Sequence, residues 1–179
     1  MPIVSLRLWA GGCGADGSAP GRELGQKGWR KASLVPLLMF LIDTVTLSEL
    51  RRRERDPKLV AWFERQRTTD LFLSVVSIGE IERGIARQRG TDPGLAGALA
   101  AWLDRVLTLY GERVVPFDLR AARRWGALSA ALGNDSADLM IAATALEHGL
   151  TVVTRHLSDF EPTGVAVLDP FSRRPGRKS

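Results

Sequence analysis

Residues 39–43 read MFLID, four apolar side chains in succession followed by a carboxylate. A run this short, apolar at every position rather than at alternate ones, has the pattern of a strand covered on both faces, and such strands belong to parallel sheets. Similar runs recur at LFLSVVS (71–77), VVPF (114–117), TVVT (151–154) and VAVL (165–168). The segments between them follow helical grammar. Asp56-Pro57 places a capping residue before a proline at the first helical position, and Val60, Trp62 and Phe63 follow. Ser77 is expected to cap a helix through Arg89. Asp92-Pro93 starts another, with Leu95, Leu99, Trp102, Leu103, Val106 and Tyr110 at spacings of three and four. Asp118 caps a helix bearing Leu119, Ala122, Trp125 and Leu128. Asn134 to Ser136 opens a last one that ends at Gly149. Strands separated by helices, with no hairpin signal, predict an α/β domain of three layers, a central parallel sheet flanked by helices.

The chain has 179 residues, 45% hydrophobic and 25% charged, the composition of a globular protein able to bury a core without disulfides. The single Cys13 and two histidines cannot build a Cys/His zinc cluster, so any metal must be held by oxygens. The longest apolar run, 34–42, is broken by Pro36 and falls far short of the roughly 20 residues that span a bilayer. The first segment lacks the apolar core of a signal peptide. No membrane association and a cytoplasmic location are expected. The net charge of +5 resides in the ends: residues 1–38 carry five basic and two acidic side chains, and residues 172–179 carry four basic and none acidic. Sixteen basic against eighteen acidic residues remain between them. The Gly-rich 1–38 stretch reads as a disordered extension, with Met39 a possible natural start. The domain is expected at 39–171, and a basic tail at 172–179.

In a parallel sheet with right-handed crossovers, sites form at the carboxyl ends of strands. Four carboxylates are expected there: Asp43 after the first strand, Glu80 in the first turn after the second, Asp138 near the start of the helix before TVVT, and Asp159 in the loop leaving it. Each has an alternative use. Asp43 could cap the following helix, Glu80 could complete a Ser77-x-x-Glu80 capping box, Asp138 could answer the helix dipole, and Asp159 could be a turn residue. Gathered at one edge, however, they repel one another unless a cation neutralises them. Hard oxygen ligands select Mg²⁺ or Mn²⁺, and metal-assisted phosphodiester hydrolysis is the chemistry that such a cluster supports best.

LIDT at 41–44 followed by LSELRR, SVVSIGEIERGI at 74–85, ADLMIAATALEHGLTVVTR at 137–155 and SDFEPTGVAVLDPF at 158–171 closely resemble the PIN-domain ribonucleases, specifically VapC-type toxins of bacterial toxin-antitoxin pairs. The resemblance implies a Mg²⁺- or Mn²⁺-dependent endoribonuclease that cuts RNA, is usually a homodimer, and is restrained by a cognate VapB-like antitoxin whose helix and basic side chain enter the acidic pocket. It matches Asp43, Glu80 and Asp138 to the family's first three acids, with Asp43 and Asp138 as direct metal ligands. Two positions depart from the pattern. Val45 stands where the family commonly has Asn. His156 stands where it often has Asn or Asp, which leaves Asp159 as the nearest acid for the fourth place. Glu82 projects away from Glu80 on a helix, and Asp135 reads as a helix cap. RNA is expected on Arg patches at 51–55 and 120–124, unless these are only solvated helix faces. The alternative to a nuclease is a catalytically degenerate PIN-like module that binds antitoxin or RNA without turnover. A receiver or nucleotide-binding domain is disfavoured, because no Gly-rich loop follows the first strand and no Lys follows a late one.

Overall fold

The structure, a computed structural model, describes residues 38–172. The expected N-terminal extension apart from Leu38, and the basic tail apart from Ser172, lie outside the described residues. The chain runs β1 (Phe40–Ile42), α1 (Thr44–Leu50), α2 (Pro57–Phe63), β2 (Leu71–Ser74), α3 (Val75–Gln88), α4 (Pro93–Tyr110), β3 (Val114–Val115), α5 (Leu119–Leu132), α6 (Ala137–His148), β4 (Thr151–Val153), α7 (Leu157–Phe160) and β5 (Val167–Leu168). The five strands form one sheet in the order β3-β2-β1-β4-β5, with every neighbouring pair parallel. The α/β architecture expected from the sequence is the one observed. Among the described residues, no helix is long and apolar enough to cross a membrane.

Because side chains alternate across a strand, the continuous apolar run of β1 serves two cores at once. Phe40 and Ile42 enter one cluster with Leu73, Ile81, Ile85, Leu103 and Val106, against α3 and α4. Leu41 enters the other with Val152, Ile141, Ala142 and Phe160, against α6 and α7. Leu41 is paired with Phe72 on one side and Val152 on the other, so β1 is the middle of the sheet and is fully buried.

The caps explain most helix starts. Asp56 accepts from Lys58 N and Leu59 N, Asp92 from Leu95 N, Asp118 from Ala121 N, and Ser136 from Leu139 N. Ser136, rather than Asp135, is therefore the cap of α6. At the other end of α6, Gly149 takes φ 63°, a left-handed conformation that glycine adopts without a Cβ penalty, and its N–H closes the helix on Ala145 O. The chain enters β4 two residues later.

One boundary differs in a way that matters for the site. The second strand stops at Ser74 rather than at residue 77, and Ser74 caps α3 by accepting from Val76 N at 3.1 Å. Alternating and helical apolar patterns are indistinguishable in LFLSVVS, where every residue but the serines is apolar. Ser77 thus sits inside the helix, buried, with no hydrogen-bond partner for its Oγ. The Ser77–Glu80 capping box does not form, and Glu80 lies in the second turn of α3 with its carboxylate free for other work. The short α7 is a further element the sequence pattern did not announce, since four residues carry too little periodicity to read.

The two serines should respond oppositely to truncation. Ser74→Ala should cost about 1 kcal/mol by removing the cap, whereas Ser77→Ala should leave stability unchanged or raise it by about 1 kcal/mol, because it removes a buried, unpaired hydroxyl. Urea unfolding of the two variants beside the wild type measures both.

Candidate functional site

β1 delivers Asp43 directly to the carboxyl edge of the sheet. The backbone N–H of Asp43 still belongs to the ladder, donating to Val153 O at 3.2 Å, while its side chain caps α1. Oδ1 accepts from Thr44 N at 2.7 Å, and Oδ2 accepts from the Thr154 hydroxyl at 2.9 Å. Thr154 Oγ1 in turn accepts from His156 N at 3.0 Å, so one hydroxyl fixes both the carboxylate and the turn leaving β4. Asp43 is 1% exposed. Burial raises its pKa from 3.8 to about 6; the hydrogen bonds from Thr154 and Thr44 work against that rise, and the charges of Asp138 and Glu80 add to it.

Glu80 reaches the same edge from α3. Its Oε2 accepts from Thr44 Oγ1 at 2.7 Å, and its Oε1 lies 3.7 Å from the Arg83 guanidinium one turn along the helix. Asp138, in the first turn of α6, also has a carboxyl held above its ordinary value. Burial is the main cause, the negative charges of Glu80 and Asp159 contribute, and His156 opposes them. Asp159 belongs to α7, half-exposed, with Oδ2 3.8 Å from His156 Nδ1. Asp138 and Asp159 line an open cavity of about 480 Å³ together with Asn134, Asp135, Ser136 and Ser158.

The fold therefore brings Asp43, Glu80 and Asp138 into electrostatic reach of one another from three different elements, and places Asp159 of α7 within reach of Asp138 alone among them. Glu82 is exposed, and its carboxylate takes no part. Asp135 does not cap α6 and instead faces the cavity. The sequence reading overlooks Thr44 and Thr154, the two hydroxyls that fix Glu80 and Asp43; the signals were slight, Thr44 standing next to an acid and Thr154 directly after a strand. It also overlooked Arg83, although the i, i+3 spacing from Glu80 is a helix-surface pair. The two expected Arg patches are partly neutralised: Arg52 lies 3.2 Å from Glu49, which also meets Arg155 from outside the patch at 3.4 Å, while Arg120 and Arg124 both pair with Glu147.

Among the described residues, no three Asp, Glu, His or Cys side chains converge tightly enough to hold an ion as a closed set. The donors that do approach are all hard carboxylate oxygens, two of them buried enough to resist ionisation and each raised by its neighbours. Such a set suits Mg²⁺ or Mn²⁺, which commonly takes one or two protein carboxylates and keeps water in its remaining positions.

A parallel α/β domain with acidic side chains gathered at the carboxyl ends of its strands, and no glycine-rich phosphate loop, defines a class of acidic-site domains. The PIN domain profile matches residues 40–157, and the chain belongs to the PIN domain family. That match takes in Asp43, Glu80 and Asp138 and stops before Asp159. The VapC ribonuclease Y4jK of Sinorhizobium fredii is 34% identical over 144 residues, covering 74% of this chain and 98% of the relative. Toxin FitB of Neisseria gonorrhoeae is 32% identical over 139 residues, covering 74% of this chain and 99% of FitB. The crystal structure of FitAcB from Neisseria gonorrhoeae superimposes with a TM-score of 0.66 at 32% identity, covering 74% of this chain and 99% of that one.

Two predictions follow from the electrostatics of Asp43. Its carboxyl is raised on folding, so between its unfolded and folded values the native state holds the proton that the unfolded chain releases, and stability falls as pH rises from about 4 to about 6. Above that range the buried charge costs about 3 kcal/mol, an upper figure that relaxation reduces. Without divalent metal, Asp43→Asn should be more stable than wild type at pH 7.5 and indistinguishable from it near pH 3.5, as read by urea unfolding in a chelator. Thr154→Val removes a hydrogen bond to the ionised form and should raise the Asp43 pKa further, as measured by carboxyl-carbon NMR titration.

Proposed function

We propose that this protein is a metal-dependent endoribonuclease toxin of a toxin-antitoxin pair, acting in the cytoplasm through the domain at 39–171. The observation that carries the reading is the buried Asp43 carboxylate, held by Thr44 and Thr154 and facing Asp138 and Glu80. A fold maintains such a cluster against its own repulsion when a cation completes it. The relatives described as a VapC ribonuclease and as toxin FitB point in the same direction.

In this reading Asp43 and Asp138 would hold Mg²⁺ or Mn²⁺, which when bound would supply positive charge beside the phosphodiester oxygens and lower the pKa of water. Asp43 is locked in one orientation by its two hydrogen bonds, so ion binding requires little rearrangement of that side chain. Glu80, tied to Thr44 and to Arg83, would accept a proton from the attacking water. Asp138 and Asp159 line the cavity through which an RNA strand reaches the edge of the sheet, and Asn134, Ser136 and Ser158 offer uncharged hydrogen-bond partners there. An acidic cavity of this kind also fits a basic side chain from a VapB-like antitoxin, which would compete with the ion for the same carboxylates. The active toxin is taken to be a homodimer.

The test is cleavage of total cellular RNA with and without Mg²⁺ or Mn²⁺. Asp43→Asn and Asp138→Asn should each lower metal-dependent cleavage by at least about 100-fold, with the fold retained. Cleavage at the wild-type rate by either variant would overturn the proposal. Absence of both cleavage and Mn²⁺ binding in the wild type would instead favour the degenerate binding module.

A further inference from the structure

A second concavity, of about 510 Å³, shares no lining residue with the acidic cavity. Its floor is apolar, formed by Ala61 and Trp62 of α2 with Leu168 and Pro170 from the end of the sheet. Trp62 is fixed there by edge-on contacts with Phe40 and Phe63, at centroid distances of 5.1 and 5.0 Å. Lys58 and Arg65 stand on its rim, both exposed. Lys58 Nζ donates to Phe171 O at 3.0 Å and Arg65 Nε to Ala61 O at 2.9 Å, both backbone carbonyls. Neither makes an ion pair among the described residues. The one acid on the rim, Asp169, accepts from Phe171 N at 2.8 Å and serves a turn.

The groove abuts β5, which closes one side of the sheet and, among the described residues, pairs only with β4. Ala166 O and Leu168 O accept from Val152 N and Thr154 N. In a parallel ladder alternate residues bond to opposite sides, so the N–H and C=O of Val167 face the open edge. An open strand edge beside an apolar groove accepts an extended peptide as an added strand.

We propose that this edge and groove bind an extended segment of a different protein chain, one in which acidic residues flank large apolar ones. Main-chain bonds to Val167 fix it as a sixth strand, an apolar side chain rests on Trp62 and Leu168, and carboxylates meet Lys58 and Arg65. Charge argues for a different chain over the nearest other occupants. The stretches of this chain outside the described residues are basic on balance, five basic against two acidic within 1–38 and four basic against none within 172–179. A second copy would bring the same two cations against themselves. The inference does not depend on the acidic site being a nuclease.

The test uses the full chain and fluorescence anisotropy of three labelled probes: a short peptide alternating Glu and Val, its Lys and Val counterpart, and single-stranded oligouridylate. The Glu/Val peptide should bind preferentially. Arg65→Glu should weaken it about tenfold, the loss of one charge-assisted contact. Lys58→Glu with Arg65→Glu should reverse the preference toward the Lys/Val peptide. Val167→Pro, which removes an outward N–H at an edge position where proline is tolerated, should also weaken binding about tenfold with the circular dichroism spectrum unchanged. No binding of the Glu/Val peptide, equal binding of both peptides, or insensitivity to Arg65→Glu would overturn the proposal. So would displacement of the peptide by oligouridylate with the same dependence on Lys58 and Arg65, which would assign the surface to RNA.

Discussion

A carboxylate that is almost wholly removed from water organises this molecule. Asp43 closes β1, caps α1, and receives a hydroxyl from Thr154, 111 residues further along the chain. Each of those bonds favours the ionised form, and burial disfavours it more strongly, so the carboxyl remains well above its ordinary value. The arrangement spends stability on orientation. Asp43 is held where the ends of β1 and β4 meet, and the neighbouring acids of α3 and α6 add to the strain instead of relieving it.

The architecture was legible because its strands are short, apolar and separated by capped helices, and those signals are local. MFLID and TVVT announced the two strands that meet at the site. The error lay where locality fails: LFLSVVS contains no polar contrast by which to separate strand from helix, and the start of α3 was placed three residues late. That shift gave Glu80 a capping role which the structure removes. The acids themselves could be listed from their places beside strand ends, but their hydroxyl partners could not. Thr44–Glu80 and Thr154–Asp43 are contacts across 36 and 111 residues that only the assembled sheet defines.

The two departures from the family pattern fall in places of different consequence. Val45 is partly buried within α1, and Thr44, which bonds Glu80, already supplies a hydroxyl beside Asp43. His156 acts twice: its backbone N–H fixes Thr154, and its ring lies beside Asp159 and lowers the cost of charge on Asp138. Among the described residues Arg83 pairs with Glu80, and the imidazole of His156 tempers the repulsion on the cavity side.

The strand order has a consequence for how the protein comes into being. β1 is made first yet lies at the centre, and β4, followed directly by the Thr154 that gives its hydroxyl to Asp43, comes only after α6 has been synthesised. A chain growing from its N-terminus can pair β1 with β2 and pack α3 and α4, but it has neither Asp138 nor Thr154 until most of the domain has left the ribosome. The acidic edge is completed last, so a nascent or truncated chain lacks the assembled carboxylate cluster while still attached to the machinery that makes it.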